Sequence, residues 1–229
     1  MGENAKAYLA ECIGTFGLCF IGAGAIITNA LTNGAVGLLG IALAHGIVLA
    51  VMVSALGHIS GAHVNPAVTI GLLVGGKIKG GRAVGYIISQ LIGGVIAGLL
   101  LRTIYSTEVW AKVNLGTPGL GPGIGAGTGV LVEIILTFFL VLAVYGTAVD
   151  EKAPKIGGFG IGLVLVFDIL MGGPLTGASM NPARTFGPAV VSGFWDAHWV
   201  YWVGPILGAI LAAVLYKLCT GGDSSETAG

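Results

Sequence analysis

Charge is what this chain has least of. Ten basic and ten acidic side chains make up 9% of its 229 residues and cancel formally, whereas soluble domains carry roughly a quarter charged residues. Without a cationic surplus nothing suggests a polyanionic partner, and nucleic acid is excluded. Cysteine is also scarce: Cys12, Cys19 and Cys219 lie within or at the ends of apolar runs, and their spacing fits neither a metal-ligand set nor a disulfide framework. The sequence has no nucleophile elbow, zincin pattern or metal-ligand cluster. Neither enzymatic activity nor a metal or other cofactor is expected.

Apolar residues are plentiful: 55% of the chain is hydrophobic and the mean hydropathy is +0.96, the signature of a membrane protein. Glycine contributes 42 residues. In lipid, small residues let helix backbones approach closely, and Gly94 with Gly98, Gly158 with Gly162 and Gly204 with Gly208 keep the small-xxx-small spacing. Packing is the expected role of these glycines.

Crossing about 30 Å of hydrocarbon takes about 20 apolar residues. Six runs qualify, near 7 to 28, 35 to 57, 83 to 104, 128 to 149, 157 to 174 and 198 to 219. The first carries Glu11, exceeds a signal-peptide core and has no convincing cleavage site, so it is expected to be retained. Lys6, Lys77, Lys79, Arg82, Lys152, Lys155 and Lys217 fall on one side of this topology. By the positive-inside rule that side is cytoplasmic and holds both termini. The cell membrane is expected ahead of an organelle membrane. The charge-poor loop 105 to 127, with "GTPGLGPGIGAG", is expected to be an external cover over the entrance of the second half; it lacks the pattern of a phosphate-cradling loop.

The stretch "GAHVNPAVTIG" at Gly61 to Gly71 has a twin, "GASMNPARTFG" at Gly177 to Gly187. The repeat goes deeper: "AECIGTFGLCFIGAGAI" at 10 to 26 and "VEIILTFFLVLAVYGTA" at 132 to 148 share a Glu followed four residues later by Thr-Phe. The chain therefore reads as one channel domain over residues 1 to 229, built from a duplicated three-span unit, about 7 to 104 and 128 to 219. Three spans separate the twin motifs, so they enter from opposite faces. An inverted repeat results, with its functional site near the midplane.

Each motif leads into an apolar segment of about ten residues, and at 1.5 Å per residue ten residues cover only about half the bilayer. Two half-helices entering from opposite sides can meet at their N-termini and together make a seventh, broken span. Irregular backbone in "HISGAH" and "PLTGAS" is tolerable at that depth only if it lines a wet cavity or is buried in protein. Asn65 and Asn181 are placed to cap these helices through their carbonyls, leaving the amide NH2 to donate into the lumen. Pro66 and Pro182 suit the first helical position, with Ala67 and Ala183 next. Two helix N-termini at one point repel cations and welcome a neutral molecule bearing an acceptor oxygen.

Two Asn-Pro-Ala motifs on half-helices, an Arg immediately after the second, and a Glu in the first span of each half resemble the aquaporin family over nearly the whole chain, from about Tyr8 to Lys217. The resemblance implies an all-α membrane protein of six transmembrane helices and two re-entrant half-helices. It also implies a pore in each protomer and a homotetramer in the lipid bilayer, passing water and small neutral solutes such as ammonia or glycerol while excluding protons and ions. Glu11 and Glu133, costly inside a membrane, are implied to accept bonds from N–H groups of the re-entrant loops. A proton relay is the alternative for these acids.

The family's spacing puts the narrowest constriction 20 residues before the first Asn, 12 and 3 before the second, and 3 after it: His45, Ile169, Ala178 and Arg184. This set differs from the aromatic-plus-His filter of strict water channels and from the Trp, Gly, Phe, Arg pattern of glycerol facilitators. It is most similar to the plant vacuolar-type subgroup, which passes ammonia as well as water. Asp168, beside Ile169, could orient Arg184 or His45, or pair at a protomer contact. His58, His63 and His198 lie near loops or span ends, where structural bonding is expected. A secondary transporter, which shares inverted repeats and broken helices, is the alternative function.

Overall fold

Six helices in the structure, a computed structural model describing residues 1–221, are long and apolar enough to cross a membrane: Glu3–Leu31, Gly37–Ser60, Gly80–Ile104, Ala126–Val149, Gly157–Thr176 and Val200–Thr220. A helix meets every backbone hydrogen bond within its own segment, which a spanning element in lipid must do. In chain order the helices are α1 (Glu3–Leu31), α2 (Gly37–Ser60), α3 (Pro66–Val74), α4 (Gly80–Ile104), α5 (Thr107–Trp110), α6 (Ala126–Val144), α7 (Gly157–Thr176), α8 (Pro182–Ser192) and α9 (Val200–Thr220). A π-helical turn, Tyr145–Val149, continues α6. No strand occurs among the described residues, so the all-α expectation holds.

The nine residues of α3 and eleven of α8 are too few to cross. Both begin alike. Asn65 Oδ1 accepts from the Ala67 N–H at 2.8 Å, and Asn181 Oδ1 accepts from Ala183 and Arg184 at 3.0 and 3.2 Å, with proline first in each helix. These are N-caps of the expected kind.

Packing repeats between the halves. α1 lies against α2 and α4 as α6 lies against α7 and α9, while α2 and α7 pack on each other. The half-helices are exchanged: α3 rests on α9 and α8 on α4. Close approach depends on missing side chains. A Cβ at Gly94 would meet the Ala183 carbonyl at 2.7 Å, one at Gly187 would run into the backbone of Gly94, and one at Gly208 would strike the Ile134 carbonyl. The packing role read from the glycine spacing is thus visible at the α4–α8 and α6–α9 contacts.

Irregular backbone is shorter than "HISGAH" and "PLTGAS" suggested, because α2 runs to Ser60 and α7 to Thr176 before left-handed glycines, Gly61 at φ +87° and Gly177 at φ +77°, end them. Glycine carries no Cβ penalty there. The turns that follow are left-handed again at Ala62 and Val64, and at Ala178 and Met180. For non-glycine residues this costs on the order of 1–3 kcal/mol each and persists only where the surroundings over-determine it.

Candidate functional site

Two buried carboxylates provide that constraint. Glu11 Oε1 accepts from Ser60 Oγ at 2.7 Å and the His63 N–H at 2.9 Å, and its Oε2 accepts from the Val64 N–H and Gln90 Nε2, both at 2.7 Å. Glu133 repeats the pattern with Thr176 Oγ1 at 2.7 Å, the Ser179 N–H at 2.9 Å and the Met180 N–H at 2.7 Å. Both glutamates are fully buried. Each thus holds two consecutive N–H groups of a strained turn, leaving the carbonyls there free to point elsewhere.

Ser60 and Thr176 were not singled out in the sequence, although each is a hydroxyl residue five places before its Asn. Each also accepts from the backbone N–H two residues on, Ala62 and Ala178. Tyr86 and Tyr201 complete the set, donating to the carbonyls of Ser60 at 2.6 Å and Thr176 at 2.8 Å. Nothing in the local sequence marks Gln90 or these tyrosines, because they reach the loops from the distant helices α4 and α9.

The two Asn-Pro-Ala starts meet tip to tip. Asn65 Nδ2 donates to the Met180 carbonyl at 2.7 Å, and Asn181 Nδ2 donates to the Val64 carbonyl at 2.9 Å. This modifies the expectation that the amides are wholly free: one N–H of each closes the junction, and only the second remains for the lumen. The arrangement is reciprocal, each motif capping the turn that leads into the other.

A cavity with ≈ 140 Å³ of room for water-sized molecules passes this junction. His45, Ala178 and Arg184 line it at one end, Asn65 and Asn181 in the middle, and Leu72, Val144 and Val149 towards the side where α3 and α6 end. A water needs about 10–15 Å³ by this measure, so the space suits a file of waters. The wall is apolar except for the asparagines, His45, His63, Ser179 and Arg184.

At this end of the cavity Arg184, 3% exposed, places Nη2 3.3 Å from His45 Nε2 and Nη1 2.9 Å from the Gly116 carbonyl. His45 Nδ1 lies 2.8 Å from the carbonyl of Ile41, one turn earlier on α2. Three of the four residues expected at the constriction, His45, Ala178 and Arg184, are therefore together on this cavity. Ile169 is buried in the core beside it and does not line the cavity.

Gly116 opens the "GTPGLGPGIGAG" stretch expected to form an external cover, but its bond to Arg184 was not expected. Its loop contains the unanticipated helix α5 and a 3-10 turn, Ala111–Gly116, and reaches into the site by its backbone, which leaves no side-chain signature. The loop also rests on the second half, where the Gly121 N–H donates to the Leu175 carbonyl at 2.8 Å. Asp168 is buried with Oδ2 unpartnered among the described residues. The described bonds of the Arg184 and His45 side chains go to Gly116, Ile41 and each other, so the suggestion that Asp168 orients either finds no support. His63 Nδ1 pairs with Thr69 Oγ1 at 3.1 Å, and His198 Nε2 accepts from Trp202 Nε1 at 3.1 Å.

Comparison with known proteins agrees with this architecture. The family model described as major intrinsic protein matches residues 2–216. The chain is 49% identical over 219 residues to aquaporin TIP4-4 of Zea mays, covering 92% of this chain and 85% of that protein. It is 45% identical over 235 residues to a probable aquaporin TIP3-2 of Arabidopsis thaliana, covering 94% and 84%. In fold it is similar to the aquaglyceroporin from Plasmodium falciparum, with a TM-score of 0.84 at 24% identity over 95% of this chain and 98% of that one. Passive conduction sets aside both the secondary-transporter alternative and an enzymatic role: the chain belongs to the major intrinsic protein family, the aquaporins, as an integral multi-pass membrane channel for water and small solutes.

Proposed function

We propose that the pore passes water and uncharged ammonia and excludes protons and ions, with His45, Ala178 and Arg184 as its filter and Ile169 in the core packed beside it. The observation that carries this reading is the His45–Arg184 contact at 3.3 Å beside the small Ala178. A fixed cation repels ammonium, and the His45 imidazole, which accepts from Arg184 Nη2, holds that cation beside side chains that are small or apolar. The Asn65 and Asn181 junction supplies the second barrier, where two helix N-termini bring partial positive charge to one point. Glu11 and Glu133 act as scaffold acceptors and not as a proton relay, because every bond described for them comes from a donor that shapes the re-entrant turns.

The chain functions as a homotetramer with both termini in the cytoplasm, on the side where its short basic loops lie. The TIP-type relatives give the expected cell membrane no support, and we assign the channel to a vacuolar-type membrane instead. Purified protein in proteoliposomes tests the reading by stopped-flow permeability to water, glycerol and ammonia. Water and ammonia fluxes with low activation energy support it. Saturable, ion-coupled flux, or ammonia flux no greater than that of empty liposomes, refutes it.

A further inference from the structure

Two consecutive small residues of α1 stand behind the Arg184 end of the pore. A Cβ at Gly22 would fall on the imidazole of His45, against Cδ2, Nε2 and Cε1 together. At the next position, Ala23 carries the loop backbone: a Cβ at Gly116 would meet Ala23 Cβ at 2.7 Å and Cα at 2.8 Å. The two groups that receive the Arg184 guanidinium, the His45 ring and the Gly116 carbonyl, thus both rest on this dipeptide. Gly22 and Ala23 are buried.

We propose that Gly22 is a positioning residue for selectivity: its missing side chain is the seat into which the His45 ring withdraws from the lumen, which sets both the aperture and the His45–Arg184 contact. The proposal rests on the filter reading above. His45 has few alternatives. Its Nδ1 is tied to the Ile41 carbonyl at 2.8 Å, so the ring cannot turn freely, and the edge that carries Nε2 is the one lying over Gly22. A methyl group at Gly22 meets a side-chain ring and not backbone, so the ring yields first and the fold survives. Displaced from α1, the ring moves into the cavity it lines and draws Nε2 away from Arg184. Helix formation gives no reason for glycine at this position, since alanine is the better helix former.

The test is a double-mutant cycle with Gly22→Ala and His45→Ala, read as the ammonia-to-water permeability ratio in proteoliposomes of matched protein density. Gly22→Ala in the parent should lower the ratio by about twofold or more, the low end expected for residues in contact. Added to His45→Ala, it should leave that variant's ratio where it was, because the clash partner is gone. No change in the parent, or an equal change in both backgrounds, overturns the proposal. If His45→Ala alone keeps the parent ratio, the filter reading fails instead, and the same cycle in water permeability then decides whether Gly22 acts through His45. Should Gly22→Ala reduce the yield of folded protein, His45→Ala must restore it; absence of rescue likewise overturns the proposal.

Discussion

Arg184 Nη2 lies 3.3 Å from His45 Nε2, and the chemistry of the two groups leaves one arrangement for the imidazole proton. A guanidinium only donates, so Nε2 accepts. The Ile41 carbonyl, 2.8 Å from Nδ1, only accepts, so Nδ1 carries the proton. His45 is therefore the neutral Nδ1–H tautomer, and Arg184 is the one arginine, lysine or carboxylate side chain among the described residues that line the cavity.

Replacing His45 by Phe removes the acceptor that Arg184 Nη2 faces and with it the partner that holds the guanidinium on that side of the cavity. His45→Phe should cut ammonia flux more than water flux, measured by internal alkalinisation and light scattering in the same proteoliposomes. An unchanged ratio would leave His45 with a purely structural role.

Asn181→Asp should damage both folding and flux. A carboxylate cannot donate to the Val64 carbonyl now 2.9 Å from Nδ2, so two acceptors would face each other at the junction, and an ionised acid there attracts the cations that the helix ends repel. Expected are a lower folded yield, reduced water permeability and a cation leak in whatever folds. Normal water flux with no leak contradicts this account.

Glu133→Leu leaves Thr176 Oγ1 and the N–H groups of Ser179 and Met180 without their acceptor. Each orphaned buried donor costs about 1–3 kcal/mol, a large share of a typical stability of about 5–15 kcal/mol. The yield of folded protein should fall sharply, and Glu11→Leu, which takes the acceptor from four donors, should fare no better. Full yield with normal water permeability in either variant removes the scaffold role.

The loop after α6 is tied to α9 through Asp150, whose Oδ2 accepts from Tyr216 Oη at 2.8 Å and whose Oδ1 accepts from the Lys152 N–H at 2.9 Å. The Lys152 N–H first, then Tyr216, hold the Asp150 carboxyl below its ordinary value of 3.8. A carboxyl depressed by folding contributes stability that is complete above its unfolded pKa and is lost as pH falls through the folded one. Amide protection in residues 150–156, taken relative to the intrinsic exchange rate at each pH, should therefore be constant near neutrality and fall only below the ordinary carboxylate range. Asp150→Asn should lose this acid step, and Tyr216→Phe should raise exchange at neutral pH. An acid step that persists in Asp150→Asn must come from another group.

Much of this protein follows from the order of its residues. Spans of about 20 apolar residues are imposed by the thickness of hydrocarbon, so the six crossings were readable to within a few residues; the largest shift is at the start of α1, at Glu3 where the run was expected from residue 7. Asn-Pro-Ala is a local helix start, and its duplication with Glu11 and Glu133 reveals the repeat. What the sequence could not carry is anything made by backbone or by distant helices. The Gly116 carbonyl reaches Arg184 with no side chain to announce it, Gln90, Tyr86 and Tyr201 reach the re-entrant turns from far along the chain, and the amides of Asn65 and Asn181 close on each other's turns instead of standing free. The asparagine contacts exist because α3 and α8 cross to the opposite half and bring residues more than a hundred positions apart within hydrogen-bond distance. Local periodicity describes the neighbourhood of a residue along the chain; the pore is made where the two halves interlock, and tertiary packing alone decides which groups meet there.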